Sequence, residues 1–325
     1  MTIQAFKPDS REQWLSGRRK TIGASEIAAL FGVHSYMTAF ELFLIKTGKY
    51  TKGFDSTVIN DDSIILPPTE RGNFLEEKAL ELCGKLRPEW RIVSNQIPGG
   101  VVYIDQERGL SSTPDALIYE DLKPGYGSLQ IKNIEPMIFK FKWQDDNGNI
   151  DVPVDVAIQA MQDAVMSGAD RAYVGVMTVG FEVQFRLFEI TILPDLIDNI
   201  TIKAAEFWRR VEENDPYAPD YARDGEVLAG LYPVKPGTKI DLSTNNRIGE
   251  LCQQKGEWTR RGTNAERALE TLNAEIIEMM QGAEVALHPA FNITRKITKR
   301  KEITIAACEF PVLRVTNKKA KDGEE

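Results

Sequence analysis

Residues 113–133 read TPDALIYEDLKPGYGSLQIKN and constrain the fold more than any other stretch. Two apolar runs that suit strands flank a segment rich in proline and glycine. Asp115 stands at the start of the first run, while Gln130 and Lys132 stand two residues apart on the second. Because side chains alternate across a strand, Gln130 and Lys132 share one face and Ile131 points into the core. The stretch therefore predicts neighbouring strands carrying polar groups that need partners.

The elements predicted around this stretch indicate an α/β fold. A helical pattern over residues 70–86 precedes three predicted strands, the first two separated by a turn at 107–109. A helix over residues 151–169 and a hairpin turning near Gly180 follow, and then a long amphipathic helix over 193–214. This order is typical of a central mixed sheet flanked by helices.

The two ends of the chain are organised differently. Residues 10–48 predict helices around a tight bend, with Ser25 as a helix N-cap. After Tyr217 we predict a linker, a helix over 266–282 and a basic β-hairpin, so we divide the chain into a core, 1–216, and an extension, 217–325. The extension helix has an apolar seam, and such seams more often pack on their own domain than bind a partner: Leu269, Leu272, Ile276 and Met279.

Charge is localised rather than uniform. The chain carries −8 overall, which argues against nonspecific coating of nucleic acid. Yet residues 291–321 hold nine Lys or Arg against two acids, a net +7, and residues 17–20 read GRRK. Each cluster alone suits a solvated face, but two on an acidic chain favour contact with phosphate groups.

Several classes of protein are disfavoured by composition. No apolar run approaches the roughly 18–20 residues that span a membrane, and the first residues lack the layout of a secretory signal, so we expect a cytoplasmic protein. The three cysteines lie far apart and only two histidines occur, which argues against disulfide, zinc and histidine-based sites. There is no phosphate-binding glycine motif for ATP.

Chemistry is suggested by acids near Lys132. Asp115 alone is more typical of a structural turn, and Glu76, on the helix before the sheet, of an exposed helix face. Together these residues suggest a hydrolytic site for Mg²⁺ or Mn²⁺, which prefer oxygen ligands. A neighbouring lysine can orient water and stabilise negative charge on phosphorus.

Five motifs occur in an order that resembles a known family. They are WLSGRRKTIGASEIAALFG, RGNFLEEKA, STPDALI, LQIKN and QAMQDAVMSGADRAYVGVM. They resemble the YqaJ-like viral recombinase nucleases of the PD-(D/E)XK superfamily over residues 10–215. The resemblance implies that the core is a nuclease. It further implies a metal-dependent 5′–3′ exonuclease that acts on linear double-stranded DNA in phage-type recombination.

The resemblance also implies a role for individual residues. Asp115 is the central metal ligand, Glu76 the helix acid, and the Ile131 carbonyl a backbone ligand, with two ions bound between them and Gln130. Lys132 is the catalytic lysine. Gln159 and Gln162 are the glutamines that face the active site.

DNA contacts and partners follow from the same resemblance. Arg18 and Ser25 match positions that bind a 5′-phosphate, and Arg19 is the alternative to Arg18. The basic hairpin is expected to contact the DNA backbone through Lys296, Lys299, Arg300 and Lys301. The family produces a 3′ single strand for a single-strand annealing protein and includes a ring-shaped trimer, so a homo-oligomer in a bacterial host is implied.

Gln130 departs from the family pattern, which has glutamate there. Three explanations stay open: a weaker or metal-shifted enzyme, a natural descendant that only binds DNA ends, and a deliberate glutamate-to-glutamine change. A charge pair about 4 Å apart at an effective dielectric of about 20 is worth roughly 4 kcal/mol, so its loss from the transition state costs on the order of 10³-fold. A structure-specific endonuclease on the same core is a further alternative. Residues 63–68, SIILPP, either pack as an ordinary loop or wedge the duplex open.

Overall fold

A computed structural model describes residues 3–51, 57–60, 63–96, 99–288, 290–297 and 313–315. The chain forms two compact units, Met1–Pro233 and Val234–Glu325. The helices described are α1 (Arg11–Arg18), α2 (Ala39–Lys46), α3 (Pro68–Leu86), α4 (Pro136–Lys142), α5 (Val154–Ser167), α6 (Pro194–Glu213), α7 (Gly225–Leu231) and α8 (Asn246–Met280), with a 3-10 helix over Ile27–Phe31. The strands are β1 (Ile3–Phe6), β2 (Ile22–Gly23), β3 (Val58–Asn60), β4 (Ser63–Ile65), β5 (Trp90–Ser94), β6 (Val102–Asp105), β7 (Leu110–Ser112), β8 (Ala116–Glu120), β9 (Gly127–Ile134), β10 (Arg171–Val179), β11 (Val183–Ile190), β12 (Val285–His288) and β13 (Phe291–Thr294).

The first unit is built on a five-stranded mixed sheet in the order β11-β10-β9-β8-β5. β9 and β10 are parallel, and the other neighbours are antiparallel. Helix α3 packs Ala79, Leu80 and Cys83 on the face that presents Ile131. Helix α5 packs small residues such as Ala164 on the opposite face. The predicted α/β class, a mixed sheet flanked by helices, is confirmed.

The predicted strand after the 107–109 turn is in fact two strands in different sheets. β7 belongs to a second sheet, ordered β1-β6-β7-β2, while β8 belongs to the central one. The chain passes between the sheets at Thr113–Asp115. Pro114 has no N–H to donate to a ladder, so a strand is interrupted there.

The central sheet divides beside Asp115, where β8 leaves β9, and this place is called the strand fork. The β8–β9 ladder ends at the pair Ala116 and Leu129, and the Asp115 N–H still donates to the Leu129 carbonyl at 3.0 Å. β9 continues to Ile134 while paired only with β10. One side of β9 is therefore without a neighbouring strand beyond Leu129, and side chains must complete its hydrogen bonding.

The helix predicted to begin at Ser25 is a short 3-10 helix, and Ser25 does not cap it. Its N-terminal flanking residue is Glu26, which makes no side-chain capping bond. The Ser25 hydroxyl instead accepts a hydrogen bond from Arg18 Nη2 at 2.8 Å. A long-range arginine contact therefore takes the place of the local cap.

Strands β3 and β4 pair antiparallel, so Ser63–Ile65 is a strand rather than part of a loop that packs its apolar residues. Ile59, Ile64 and Ile65 are exposed on these strands. No helix among the described residues is long and apolar enough to span a membrane.

The second unit contains α8, which begins 20 residues before the predicted start, and the β12–β13 hairpin. Only Phe291–Thr294 of the predicted basic hairpin lies in this observed hairpin. Lys299, Arg300 and Lys301 lie outside the described residues.

Candidate active site at the strand fork

Asp115 occupies the fork and completes the hydrogen bonding of β9. Its Oδ2 accepts from the Ile131 N–H at 2.6 Å and from Gln130 Nε2 at 2.5 Å. Burial, and then the nearby charge of Glu76, raise the pKa of Asp115 well above its usual value, although Lys132 acts in the opposite direction. Asp115 is therefore a buried carboxyl group whose charged form is disfavoured, and a backbone N–H holds it at the centre of the site.

The Ile131 carbonyl faces the same side of β9 as its N–H, because both groups of one strand residue point the same way. On that side β8 no longer pairs with β9. Among the described residues, the carbonyl receives a long 3.4 Å contact from Gln130 Nε2, and the buried Gln130 Oε1 has no hydrogen-bond partner. These two acceptor oxygens at the fork therefore lack good hydrogen-bond donors in that part of the chain.

Glu76 reaches the fork from α3. It is half-buried, and burial raises its pKa, although a hydrogen bond from Gln96 partly offsets this. The negative charge of Glu76 also raises the pKa of Asp115, so the two carboxylates repel each other. Neighbouring acids with raised pKa values are typical of sites that bind a cation.

Lys132 projects from β9 toward α5. Its Nζ donates a hydrogen bond to Gln159 Oε1 at 2.8 Å. Burial lowers the pKa of Lys132, against the charges of Asp115, Asp163 and Asp155. The ammonium is therefore held by an amide and poised beside the acids.

Asp163 is a buried acid of the site that the sequence reasoning missed. Its Oδ1 accepts from the Ser112 hydroxyl at 2.6 Å, and its Oδ2 has no partner among the described residues. Burial raises the pKa of Asp163 to about 6, while the Ser112 hydrogen bond and the Lys132 and Arg18 charges lower it. Asp163 follows Gln159 by four residues and so shares its helix face, which is the signal that identifies it.

Gln162 does not face the site as the resemblance implied. Its Nε2 donates to the carbonyls of Ser111 at 3.0 Å and Ile22 at 3.3 Å. These bonds tie α5 to β7 and β2 of the second sheet. Gln162 is therefore a structural link between α5 and that sheet.

Arg18 is held by several partners, and together these side chains are called the Arg18 pocket. It lies 4.9 Å from the centre of the Trp14 ring, donates to Ser25, and is 3.7 Å from Glu26 Oε1. Buried Lys46 fixes this arrangement, since its Nζ donates to Glu26 Oε2 and to the Arg18 carbonyl, both at 2.8 Å. Although burial raises the pKa of Glu26, the Arg18 and Lys46 charges hold it below its usual value.

The Arg18 pocket and the strand fork both act on Asp163, because the charges of Lys132 and Arg18 lower its pKa. Arg19, the alternative to Arg18, is exposed. Lys296, in the second unit, lies 3.9 Å from Glu284.

The residues at the fork have the donor chemistry of a hard divalent cation. All candidate donors are oxygens: the carboxylates of Glu76 and Asp115, the Gln130 amide oxygen and the Ile131 carbonyl. The described part of the chain contains no cluster of three or more His, Cys, Asp or Glu able to hold a metal ion. Gln130 Oε1, which is buried and has no partner among the described residues, offers a further oxygen. The set fits Mg²⁺ or Mn²⁺ with two carboxylate and two neutral oxygen donors.

Comparison with solved structures and curated proteins gives the following similarities. Three solved structures are similar to the chain: the alkaline exonuclease LHK-Exo from Laribacter hongkongensis (16% identity, 67% of this chain and 98% of that one, TM-score 0.44), a protein from Eubacterium rectale (13%, 74% and 99%, 0.42) and a phage related exonuclease from Haemophilus somnus 129PT (13%, 64% and 89%, 0.33). No curated protein matches the sequence.

The match to a family is direct. Residues 13–170 match the YqaJ-like viral recombinase domain. This range runs from α1 past the end of α5 and so contains the Arg18 pocket, the strand fork and Asp163. The predicted resemblance to the YqaJ-like viral recombinase domain is therefore confirmed for residues 13–170.

Proposed function

We propose that this chain is a divalent-metal-dependent 5′–3′ exonuclease that acts on the ends of linear double-stranded DNA in phage-type recombination. The observation that carries the proposal is the strand fork itself, where the Asp115 carboxylate accepts from the Gln130 amide and the Ile131 N–H, while Lys132 on the same strand binds Gln159. The raised pKa of Asp115, caused by burial and by Glu76, supports a cation there. The match of residues 13–170 to a viral recombinase domain supports DNA as the substrate.

The chain's own residues divide the work between them. Glu76, Asp115, Gln130 Oε1 and the Ile131 carbonyl would hold Mg²⁺ or Mn²⁺, with two ions as the family resemblance implies. A bound ion of this kind polarises the phosphodiester and makes hydroxide available near neutral pH. Lys132, fixed by Gln159, orients the attacking water and stabilises the added negative charge on phosphorus.

The Arg18 pocket would set the direction of attack. Arg18 and Ser25 bind a terminal 5′-phosphate, which an arginine can contact through two N–H groups. Asp163, whose pKa is lowered by the charges of both Lys132 and Arg18, would couple the bound end to the cleavage site. The remaining 3′ strand would pass to a single-strand annealing partner in the cytoplasm of a bacterial host.

A second function, DNA-end binding without cleavage, is favoured by one observation. Gln130 Nε2 already donates a 2.5 Å hydrogen bond to the Asp115 carboxylate, so this carboxylate is partly stabilised without a cation. Such a protein would keep the Arg18 pocket and Lys132 but would need no metal. Calorimetric titration with Mg²⁺ separates the two functions, because only the nuclease requires binding.

Digestion of a 5′-phosphorylated linear duplex with Mg²⁺ tests the proposal. The protein, Gln130→Glu and Asp115→Ala are compared, with a covalently closed circle as the control substrate. We expect Gln130→Glu to cut linear DNA at least 10²-fold faster than the unaltered protein, on the scale of a lost charged ligand. The circle stays intact in every reaction.

Each other outcome has a defined meaning. Activity retained in Asp115→Ala contradicts the assigned site. Cleavage of the circle identifies a structure-specific endonuclease on the same core. Equal rates for the protein and Gln130→Glu show that glutamine is a working ligand. No cleavage by either leaves end binding as the function.

A further inference from the structure

Helix α8 carries a seam with the seven-residue period of a coiled coil. From Ile248 to Met279, ten positions are spaced alternately by three and four residues. Seven of them are large and apolar: Ile248, Leu251, Trp258, Leu269, Leu272, Ile276 and Met279. The other three are Lys255, Gly262 and Ala265. A repeat of this kind over nearly five heptads indicates a helix that pairs with another helix along its length.

The seam is uncovered, contrary to the expectation that it packs on its own domain. Its large apolar side chains are between 37% exposed, at Ile248, and 72% exposed, at Met279. A helix of 35 residues is about 52 Å long, so the seam is larger than the apolar patches that monomers usually leave in water.

We propose that α8 pairs antiparallel with α8 of a second copy of this chain. Charge along the helix favours this partner and this direction. Residues 246–262 hold four Lys or Arg and two acids, a net +2, whereas residues 263–280 hold one Arg and four acids, a net −3. Antiparallel copies place each half beside its opposite, while parallel copies place like charge on like charge.

The side chains of the seam also match in this direction. With full overlap, Ile248 lies opposite Met279 of the second copy, and Trp258 lies opposite Leu269 of the second copy. At the centre, the small residues Gly262 and Ala265 meet, which lets the helices approach closely. A parallel pair would instead oppose Lys255 to Lys255, two like charges in the interface. Antiparallel helix dipoles add a favourable term.

This pairing is independent of DNA cleavage and adds a twofold axis to any assembly of the first unit. A threefold ring built by the core would be doubled, and a monomeric core would become a dimer. The seam therefore predicts an even number of copies.

The native mass of the full chain tests the pairing. Light scattering after gel filtration is compared for the protein, Leu269→Glu on the seam and Ala274→Glu on the opposite, exposed face. We expect Leu269→Glu, which faces Trp258 of the second copy, to halve the mass and Ala274→Glu to leave it unchanged. Circular dichroism verifies that helix content is retained. Equal masses for the protein and both variants overturn the proposal, including the case where the seam binds a different protein.

Cross-linking tests the direction. In a Cys252→Ser, Cys308→Ser background, a short bis-maleimide is applied to Ile248→Cys alone and to Ile248→Cys with Met279→Cys. Antiparallel pairing separates the two Ile248 positions by about 46 Å, so only the double variant should form covalent dimers. Dimers from Ile248→Cys alone overturn the antiparallel arrangement.

Discussion

Gln130 donates a 2.5 Å hydrogen bond through Nε2 to Oδ2 of Asp115, the oxygen that also accepts the Ile131 N–H. A glutamate at position 130 lacks that donor and would add a third charge near Asp115 and Glu76. The partial positive charge of the Gln130 N–H thus stabilises the buried Asp115 carboxylate in part. The oxygen of the same amide, Oε1, has no partner among the described residues.

Gln130→Glu should make the fold depend on a divalent cation. Loss of a hydrogen bond to a charged group costs about 1.5–3 kcal/mol, so we expect the free energy of unfolding at pH 8 in EDTA to fall by that amount. Millimolar Mg²⁺ should restore it. Urea denaturation measures both, with exposed Gln253→Glu as the matched control. Equal stability with and without Mg²⁺ would contradict the assigned ligand position.

Asp163→Asn should stabilise the protein at high pH only. Burial raises the pKa of Asp163 to about 6 from an ordinary 3.8, so the folded state prefers the protonated form. That preference favours folding below about pH 4 and is lost as the pH rises through 6. Asparagine keeps an acceptor for Ser112 without the charge.

The expected gain for Asp163→Asn is about 2–3 kcal/mol at pH 8, because one pKa unit corresponds to about 1.4 kcal/mol. It should vanish at pH 4. Urea denaturation at pH 4, 6 and 8 measures it. A gain that is the same at every pH, or a loss at pH 8, would show that burial does not raise the pKa of Asp163.

Gly23→Ala should weaken recognition of a DNA end without unfolding the protein. A Cβ at Gly23 would lie 2.7 Å from Arg18 Nη2, the end of a flexible side chain that can move away. We expect at least a fivefold loss of affinity for a 5′-phosphorylated duplex and little change for a 5′-hydroxyl duplex. Fluorescence anisotropy measures both.

The control is Gly17→Ala, where a Cβ meets nothing within 4 Å. It should leave both affinities unchanged. If Gly23→Ala weakens the two duplexes equally, the pocket does not bind the phosphate.

Lys46→Met should strongly destabilise the first unit. The Lys46 side chain is nearly inaccessible and contacts Glu26 at 2.8 Å. Burial lowers the pKa of Lys46 despite Glu26, so the pair itself adds little, but its loss leaves the buried Glu26 carboxylate with only the more distant Arg18, 3.7 Å away, as a charged partner. Breaking such a pair costs about 3–5 kcal/mol.

The double variant Lys46→Met, Glu26→Gln should recover most of that loss, because no buried charge remains. Thermal unfolding at pH 7 of the two single variants and the double variant forms the cycle. Additive effects would mean that the two residues do not interact.

The sequence was sufficient for the elements whose patterns are local. The α5 bounds follow from Pro153 and from Gly168, whose φ of 80° ends the helix in the left-handed region. The shared face of Gln130 and Lys132 follows from strand alternation. Both are fixed by the backbone period and by residues that restrict it.

Features set by distant contacts were not predictable. The break at Pro114 separates two sheets whose existence depends on pairing between remote segments. Ser25 was predicted as a cap, but Arg18 takes its hydroxyl. Asp163 looks like an ordinary helix acid until α5 packs beside Ser112. In each case a tertiary contact replaces the local preference.

The strand fork gives Asp115 a structural role in addition to its proposed role as a metal ligand. Where β8 leaves β9, the main-chain N–H of Ile131 has no strand to bind, and the Asp115 carboxylate accepts it. Removing that side chain would leave a buried donor unpaired. The architecture therefore requires an acceptor at this position whether or not the protein cuts DNA. A lineage that lost catalysis through position 130 could keep the same scaffold and regain the reaction by a single codon change.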